Sequence, residues 1–247
     1  MDNIKNTIKE KYEKSKKYQA SFDDPFSRYS LRNSFGFYFE YRKFRETIKL
    51  LNYAKLTLTN KKILDIGCHR GFQLGNLAFL KGSSSNLYGI DFIPDFIQQA
   101  KRINPKINFK IMNFYDLRFK DSYFDLITLY YVINCIPVSD RVEIINNLSK
   151  KVKKNGYILV FEHSDNFIIN SIRKIIKFAK KENISYIEYA NDKIIKKYFK
   201  GFKIIKSRRL IGFLSPKLCN LLPYFMVEMF DYFTPNNYYI TLLKKVD

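Results

Sequence analysis

Cysteine is scarce in this chain. There are three in 247 residues, Cys68, Cys135 and Cys219, odd in number and far apart. Such spacing builds neither a disulfide framework nor a zinc site, and it fits a reducing compartment. No metal is expected. Long apolar runs are also lacking. The longest, Leu126 to Val138, is broken by Asn134 and Pro137 and falls short of the ~20 residues a spanning helix needs. The first eighteen residues are rich in Lys and Glu and have no apolar core, unlike a signal peptide. At 46% hydrophobic and 17% aromatic, the composition excludes disorder, collagen-like repeats and coiled coil. The expectation is a soluble, cytoplasmic, globular chain with one sizeable domain and additions at its ends.

Acidic residues are few, 23 against 44 basic, for a net charge of +21. Abundant Lys, Asn, Ile, Phe and Tyr point to an A/T-rich gene as one source of this excess. The charge is uneven, however. Arg173 to Arg209 holds 13 basic and 3 acidic side chains, whereas Leu210 to Leu243 has only Lys217, Glu228 and Asp231 charged. A basic block followed by an apolar block is a local feature that compositional bias does not predict. It reads either as a binding surface or as solvated helix faces over a core.

Ile4, Ile8 and Tyr12 recur at intervals of four, which predicts a basic amphipathic helix at the start. A second helix is expected from about Phe39 to Tyr53. From residue 61 onward, short apolar runs alternate with helical stretches. Lys62–Ile66, Leu87–Ile90, Ile107–Met112, Phe124–Leu129 and Tyr157–Phe161 read as strands. Phe72–Leu80, Asp95–Arg102 and Ser139–Val152 read as helices, the last with Ser139 as N-cap. This order argues for an α/β fold, a parallel sheet with helices on both faces. Farther on, Asn166–Lys181 and Asp192–Phe199 read as basic helices, and Phe202–Ile211 and Tyr238–Leu243 as strands around an insertion.

The informative segment is Ile63-Leu64-Asp65-Ile66-Gly67-Cys68-His69-Arg70-Gly71. An apolar strand ends beside an acid, and a turn with two glycines opens a helix. Glycine lets the backbone approach a ligand closely, and the amides at the helix start favour a carboxylate or phosphate. Twenty-four residues after Gly67, Asp91 ends the next strand, where an acid can accept hydrogen bonds from both ribose hydroxyls. Gly67, Gly71 and Gly75 are spaced by four, so the G-x-G-x-x-G dinucleotide fingerprint is absent. The pair reads as a site for a nucleoside joined to an anionic group.

On these residues the chain resembles the class I S-adenosylmethionine-dependent methyltransferases, from about Lys62 to His163. The resemblance implies a Rossmann-like, doubly wound, mostly parallel seven-stranded sheet, with N-terminal helices and an insertion before the last strand. It implies S-adenosyl-L-methionine as cofactor, with Asp65, Gly67 and Gly71 against its methionine part. Asp91 then takes the ribose, and Phe92 packs on adenine. Asn113-Phe114-Tyr115-Asp116 is similar to the family's acid-rich turn, with Asn113 in the usual Asp position and a carbonyl that still accepts. Lys153-Lys154-Asn155-Gly156-Tyr157 is similar to its turn into the fifth strand. Tyr130, after the fourth strand, is expected to line the cofactor. His69 stands where the family has glycine, which a side chain tolerates only if that position avoids positive φ.

His163 is the candidate catalytic base, because it follows the fifth strand at the edge where ligands of open α/β sheets bind and imidazole as a class suits proton transfer at neutral pH. Its neighbour Glu162 should point to the other face. Residues 1–60 are expected to form a helical cap and 61–247 the methyltransferase domain, in which basic helices at 164–200 and the insertion at 212–236 cover the substrate. The expected acceptor is a small molecule or glycan, anionic if the basic block lies at the pocket rim. An anionic membrane surface would explain the same two blocks. An RNA methyltransferase and a non-catalytic cofactor-binding partner subunit are the alternatives.

Overall fold

The computed structural model describes residues 34–81, 83–164, 190–211, 226 and 236–246. The N-terminal repeat of Ile4, Ile8 and Tyr12, the expected helix at Asn166–Lys181 and nearly all of the insertion lie outside them. The chain divides into two compact units, Met1–Arg45 with Ile211–Thr234, and Glu46–Leu210 with Pro235–Asp247. Of the first, mainly the opening of helix α1 (Ser34–Tyr53) is described, where Lys43 pairs with Glu40 at 2.7 Å.

The second unit holds the sheet. Its elements run β1 (Ile63–Ile66), α2 (Phe72–Lys81), β2 (Leu87–Asp91), α3 (Pro94–Ile103), β3 (Asn108–Ile111), β4 (Phe124–Tyr130), a 3-10 turn (Ile133–Cys135), α4 (Arg141–Lys151), β5 (Val152–His163), α5 (Asp192–Tyr198), β6 (Phe202–Ile211) and β7 (Asn236–Lys245). The seven strands lie in the order β3-β2-β1-β4-β5-β7-β6. Pairings among β3, β2, β1, β4 and β5 are parallel, and β7 runs antiparallel to β5. This is the Rossmann-like architecture expected. Short β-strands joined by helices bury both faces of such a sheet, so β1 reads as a continuous apolar run around Asp65.

On one face Leu64, Ile66, Ile90 and Ile127 join Ile144, Ile145 and Leu148 of α4 and Ile195 and Tyr198 of α5 in a single buried cluster. On the other face, a Cβ at Gly89 would lie 2.5 Å from Phe109 and 2.8 Å from Leu74. Glycine at this point of β2 lets those two side chains close over the sheet.

Two boundaries differ from the sequence reading for local reasons. Helix α4 starts at Arg141 with Asp140, not Ser139, as its cap residue. The Ser139 hydroxyl instead donates to Asp140 Oδ1 at 2.6 Å, and Tyr115 donates to the other oxygen at 3.0 Å. Strand β5 begins at Val152, five residues before Tyr157. The Lys153-Lys154-Asn155-Gly156 stretch, which reads as a turn, is an irregularity within the strand where the pairing with β4 shifts register and Asn155 takes φ +59°.

Candidate active site at the carboxyl edge of the sheet

Strands β1, β2, β4 and β5 are parallel and in register, with Ile66 opposite Ile90 and Leu129, and Tyr130 opposite Phe161. Their carboxyl ends therefore share one edge, which gathers Asp65, Gly67, Asp91, Phe92, Tyr130 and His163 from distant parts of the sequence. Ligands of open α/β sheets bind at this edge.

Asp65 is buried in β1 and accepts a hydrogen bond from Thr128 Oγ1 of β4 at 2.7 Å. After it the chain turns sharply: Gly67 has φ +69° and Gly71 φ +77°. The Gly67 and Cys68 amides both donate to the Ile90 carbonyl, at 2.8 and 2.9 Å, which ties the turn to β2. Burial raises the Cys68 thiol pKa well above its ordinary value, and the Asp65 and Asp91 carboxylates raise it further. A thiol so held is a packing group, not a nucleophile.

His69 corrects the sequence reading. Its φ is +51°, so the position does adopt the left-handed conformation that a side chain was expected to avoid. Histidine is among the residues that tolerate this region better than most. The ring lies 3.8 Å, centroid to centroid, from Phe96 of α3, a contact that glycine would lack.

Asp91 is buried at the end of β2. Its Oδ1 accepts from the Ile93 amide at 3.0 Å and its Oδ2 from the His69 amide at 3.1 Å. Burial pushes its pKa up to about 6, against the pull of the Ile93, His69 and Phe92 amides. Phe92 is half-buried beside it. Asn113 Oδ1 accepts from the Tyr115 amide at 3.1 Å, an Asx turn, and Phe114 stacks on Tyr115 at 5.0 Å. A buried acid beside two positive-φ glycines, with an aromatic residue next to it, fits a nucleoside carrying an amino acid.

At the far side of the edge, Tyr130 is buried and its hydroxyl shares a 3.0 Å hydrogen bond with Thr47 of α1. Tyr131 follows with φ +60°, strain that a bulky residue shows mainly at turns and functional sites. His163 ends β5 half-buried, its ring centroid 5.2 Å from Tyr131 and 5.4 Å from Tyr238 of β7. Beneath them Phe161 is fully buried and stacks with Tyr238 at 5.7 Å. From the sequence Tyr131, like Tyr130, could line the cofactor or simply pack, whereas nothing there marks Tyr238; the strand order brings both to His163.

Glu162 does turn from His163, as alternation requires. It is 1% exposed. Asp125, by contrast, lies at the opposite edge, where it accepts from the Lys62 amide and pairs with Lys153, both at 2.9 Å. Of the basic block, Lys193, Lys196, Lys197 and Lys200 are exposed. Among the described residues no group of three His, Cys, Asp or Glu side chains is placed to hold a metal, and no helix is long and apolar enough to cross a membrane.

The family described as a methyltransferase domain matches residues 58–206, more than half of the chain. The chain belongs to this family. A demethylmenaquinone methyltransferase from Geobacillus sp. (strain WCH70) is 26% identical over 162 residues, covering 63% of this chain and 67% of the relative. Among solved structures, one assigned as a sarcosine dimethylglycine methyltransferase from Galdieria sulphuraria is similar with a TM-score of 0.63 at 16% identity, over 83% of this chain and 86% of the other. A S-adenosylmethionine-dependent methyltransferase from Methanosarcina mazei is similar with a TM-score of 0.57 at 22% identity, over 75% and 92% of the two chains. The protein is thus a S-adenosylmethionine-dependent methyltransferase, an enzyme of the class its glycine turn and acids resemble.

Proposed function

We propose that this methyltransferase acts on a small-molecule or glycan acceptor, with the cofactor held at Asp65, Gly67, Gly71, Asp91, Phe92, Asn113, Phe114 and Tyr130, and with His163 as base. When bound, S-adenosylmethionine supplies an electrophilic methyl group on a sulfonium. The chain's own residues then have two tasks. One is to hold the acceptor's oxygen or nitrogen in line with that methyl group, a matter of positioning. The other is to take the proton the acceptor loses, which an imidazole does well near neutral pH.

The observation that carries this reading is the placement of His163. It stands at the carboxyl end of β5, two strands from β1, between the half-buried rings of Tyr131 and Tyr238 and above Phe161. Aromatic rings around a titratable group suit a compact organic acceptor better than a phosphate backbone, which is gripped mainly by Lys and Arg. The relative named for demethylmenaquinone supports a small organic acceptor as well.

The test supplies S-adenosylmethionine carrying a labelled methyl group to the enzyme, with panels of phenols, amines and sugars in parallel with RNA. Label is expected on a small molecule or glycan and lost with His163→Ala. Label on RNA alone, unaffected by His163→Ala, would overturn the reading.

A further inference from the structure

The turn that follows β4 is held from below by one carboxylate. Glu162 sits at the penultimate position of β5, on the face away from His163. Its Oε1 accepts from the Ile133 amide at 2.7 Å and the Asn134 amide at 3.4 Å, and its Oε2 accepts from Asn134 Nδ2 at 2.8 Å. Three donors from a single turn thus converge on two oxygens of one buried group. The same turn is anchored at its start by the Tyr131 amide, which donates to the Phe161 carbonyl at 2.8 Å.

Between those anchors lies Val132, buried and pressed on the glycine turn. A Cβ built at Gly67 would come within 3.0 Å of Val132 Cγ2. The contact runs from Glu162 through the Ile133 and Asn134 amides to Val132, and from Val132 to Gly67. Buried packing at this density passes on small displacements, since no void is available to absorb them.

We propose that Glu162 is a positioning residue: by clamping the turn after β4 it sets the place of Val132, and through it the shape of the Gly67 turn that receives the cofactor. A carboxylate is suited to this because it accepts at both oxygens. A glutamine there accepts at one end only, as a neutral group, and its N–H obliges the Asn134 side-chain amide, whose Oδ1 has no partner in the native turn, to turn over.

The clamp depends on pH. Burial pushes the Glu162 pKa up to about 7, while the Asn134 and Ile133 amides, the Asn134 side chain and Arg141 pull the other way. Facing it are Arg141 of α4, which is fully buried and donates from Nε to the Ile136 carbonyl at 3.0 Å, and Tyr239 of β7, paired with Glu162 in register and bonded to Asp192 of α5. Protonation replaces one acceptor by an O–H and loosens the clamp.

The inference rests on the assignment of Gly67 and Asp91 to the cofactor, and Asp91→Ala tests that assignment alone. The experiment is calorimetric titration of S-adenosylhomocysteine into the full chain and into Glu162→Gln between pH 6 and 8.5. At pH 8 the variant should bind about ten-fold more weakly, the worth of one hydrogen bond to a charged group. At pH 6 the two should agree within about three-fold, because the native residue is by then protonated. The ratio of the two dissociation constants cancels any titration of the ligand and of Asp91. Should Glu162→Gln not fold, Asn134→Ala serves: losing one donor should move the midpoint of the native pH dependence upward. A ratio constant across pH, or an Asn134→Ala midpoint equal to the native one, overturns the proposal.

Discussion

The main-chain N–H of His69 donates to Oδ2 of Asp91 at 3.1 Å. The residue that makes this bond is also the one with φ +51°. The loop after β1 and the acid after β2 are therefore one unit, and the left-handed residue is the joint between them.

Replacing that residue separates its backbone from its ring. His69→Gly relieves the left-handed conformation, which costs an ordinary residue roughly 1–2 kcal/mol, and forfeits the ring contact with Phe96, worth about 0.5–1.5 kcal/mol. The two nearly cancel, so stability by denaturant titration should change by less than about 1 kcal/mol. His69→Val loses the ring and adds a β-branched side chain at positive φ, and should lower stability by roughly 2 kcal/mol or more. Equal stability of the two variants would mean that the backbone at this position is not left-handed.

Glu162 makes fold stability depend on pH. Its pKa is about 7 in the folded chain against an ordinary 4.5, so between those values the folded state holds a proton that the unfolded state has released. The stabilisation is complete below 4.5 and lost as pH rises through 7. At one unit per 1.36 kcal/mol, the loss is roughly 3 kcal/mol. Denaturation at pH 5 and pH 8 should show a smaller difference for Glu162→Gln than for the native chain. The same difference in both would contradict the burial argument.

The sequence made most of this sheet readable, and particular residues show why. Ile63–Ile66 and Leu87–Asp91 are short apolar runs closed by turn residues, a local signal that needs no knowledge of partners. Glycine at 67 and 71 announced the turn for the same reason. Glu162 was readable only as pointing away from His163, because its partners at Ile133 and Asn134 lie 29 and 28 residues away. The bond between Thr47 and Tyr130 spans 83 residues and leaves no periodic trace. Lys153–Gly156 has the composition of a turn, yet β5 continues across it because Val152 pairs with Phe124 on one side and Tyr157 with Leu126 on the other. Tertiary pairing overrides local propensity at such places.

His163→Ala should lower turnover by about 10²–10⁴-fold, the usual contribution of a general base. Cofactor affinity should stay nearly unchanged, because the ring sits with Tyr131 and Tyr238 and not beside Asp91. A variant with near-normal turnover on its true acceptor would reduce His163 to a packing residue.

The central claim is that Asp91, buried at the end of β2 and held by the Ile93 and His69 amides, grips the cofactor's ribose. Calorimetric titration of S-adenosylmethionine into native protein and Asp91→Ala at pH 7.5 tests it most directly, with circular dichroism to check the fold. Hydrogen bonds to a charged group contribute roughly 1.5–3 kcal/mol each, so the variant should bind about ten-fold more weakly or worse while remaining folded. Unchanged affinity in a folded Asp91→Ala variant would contradict the account.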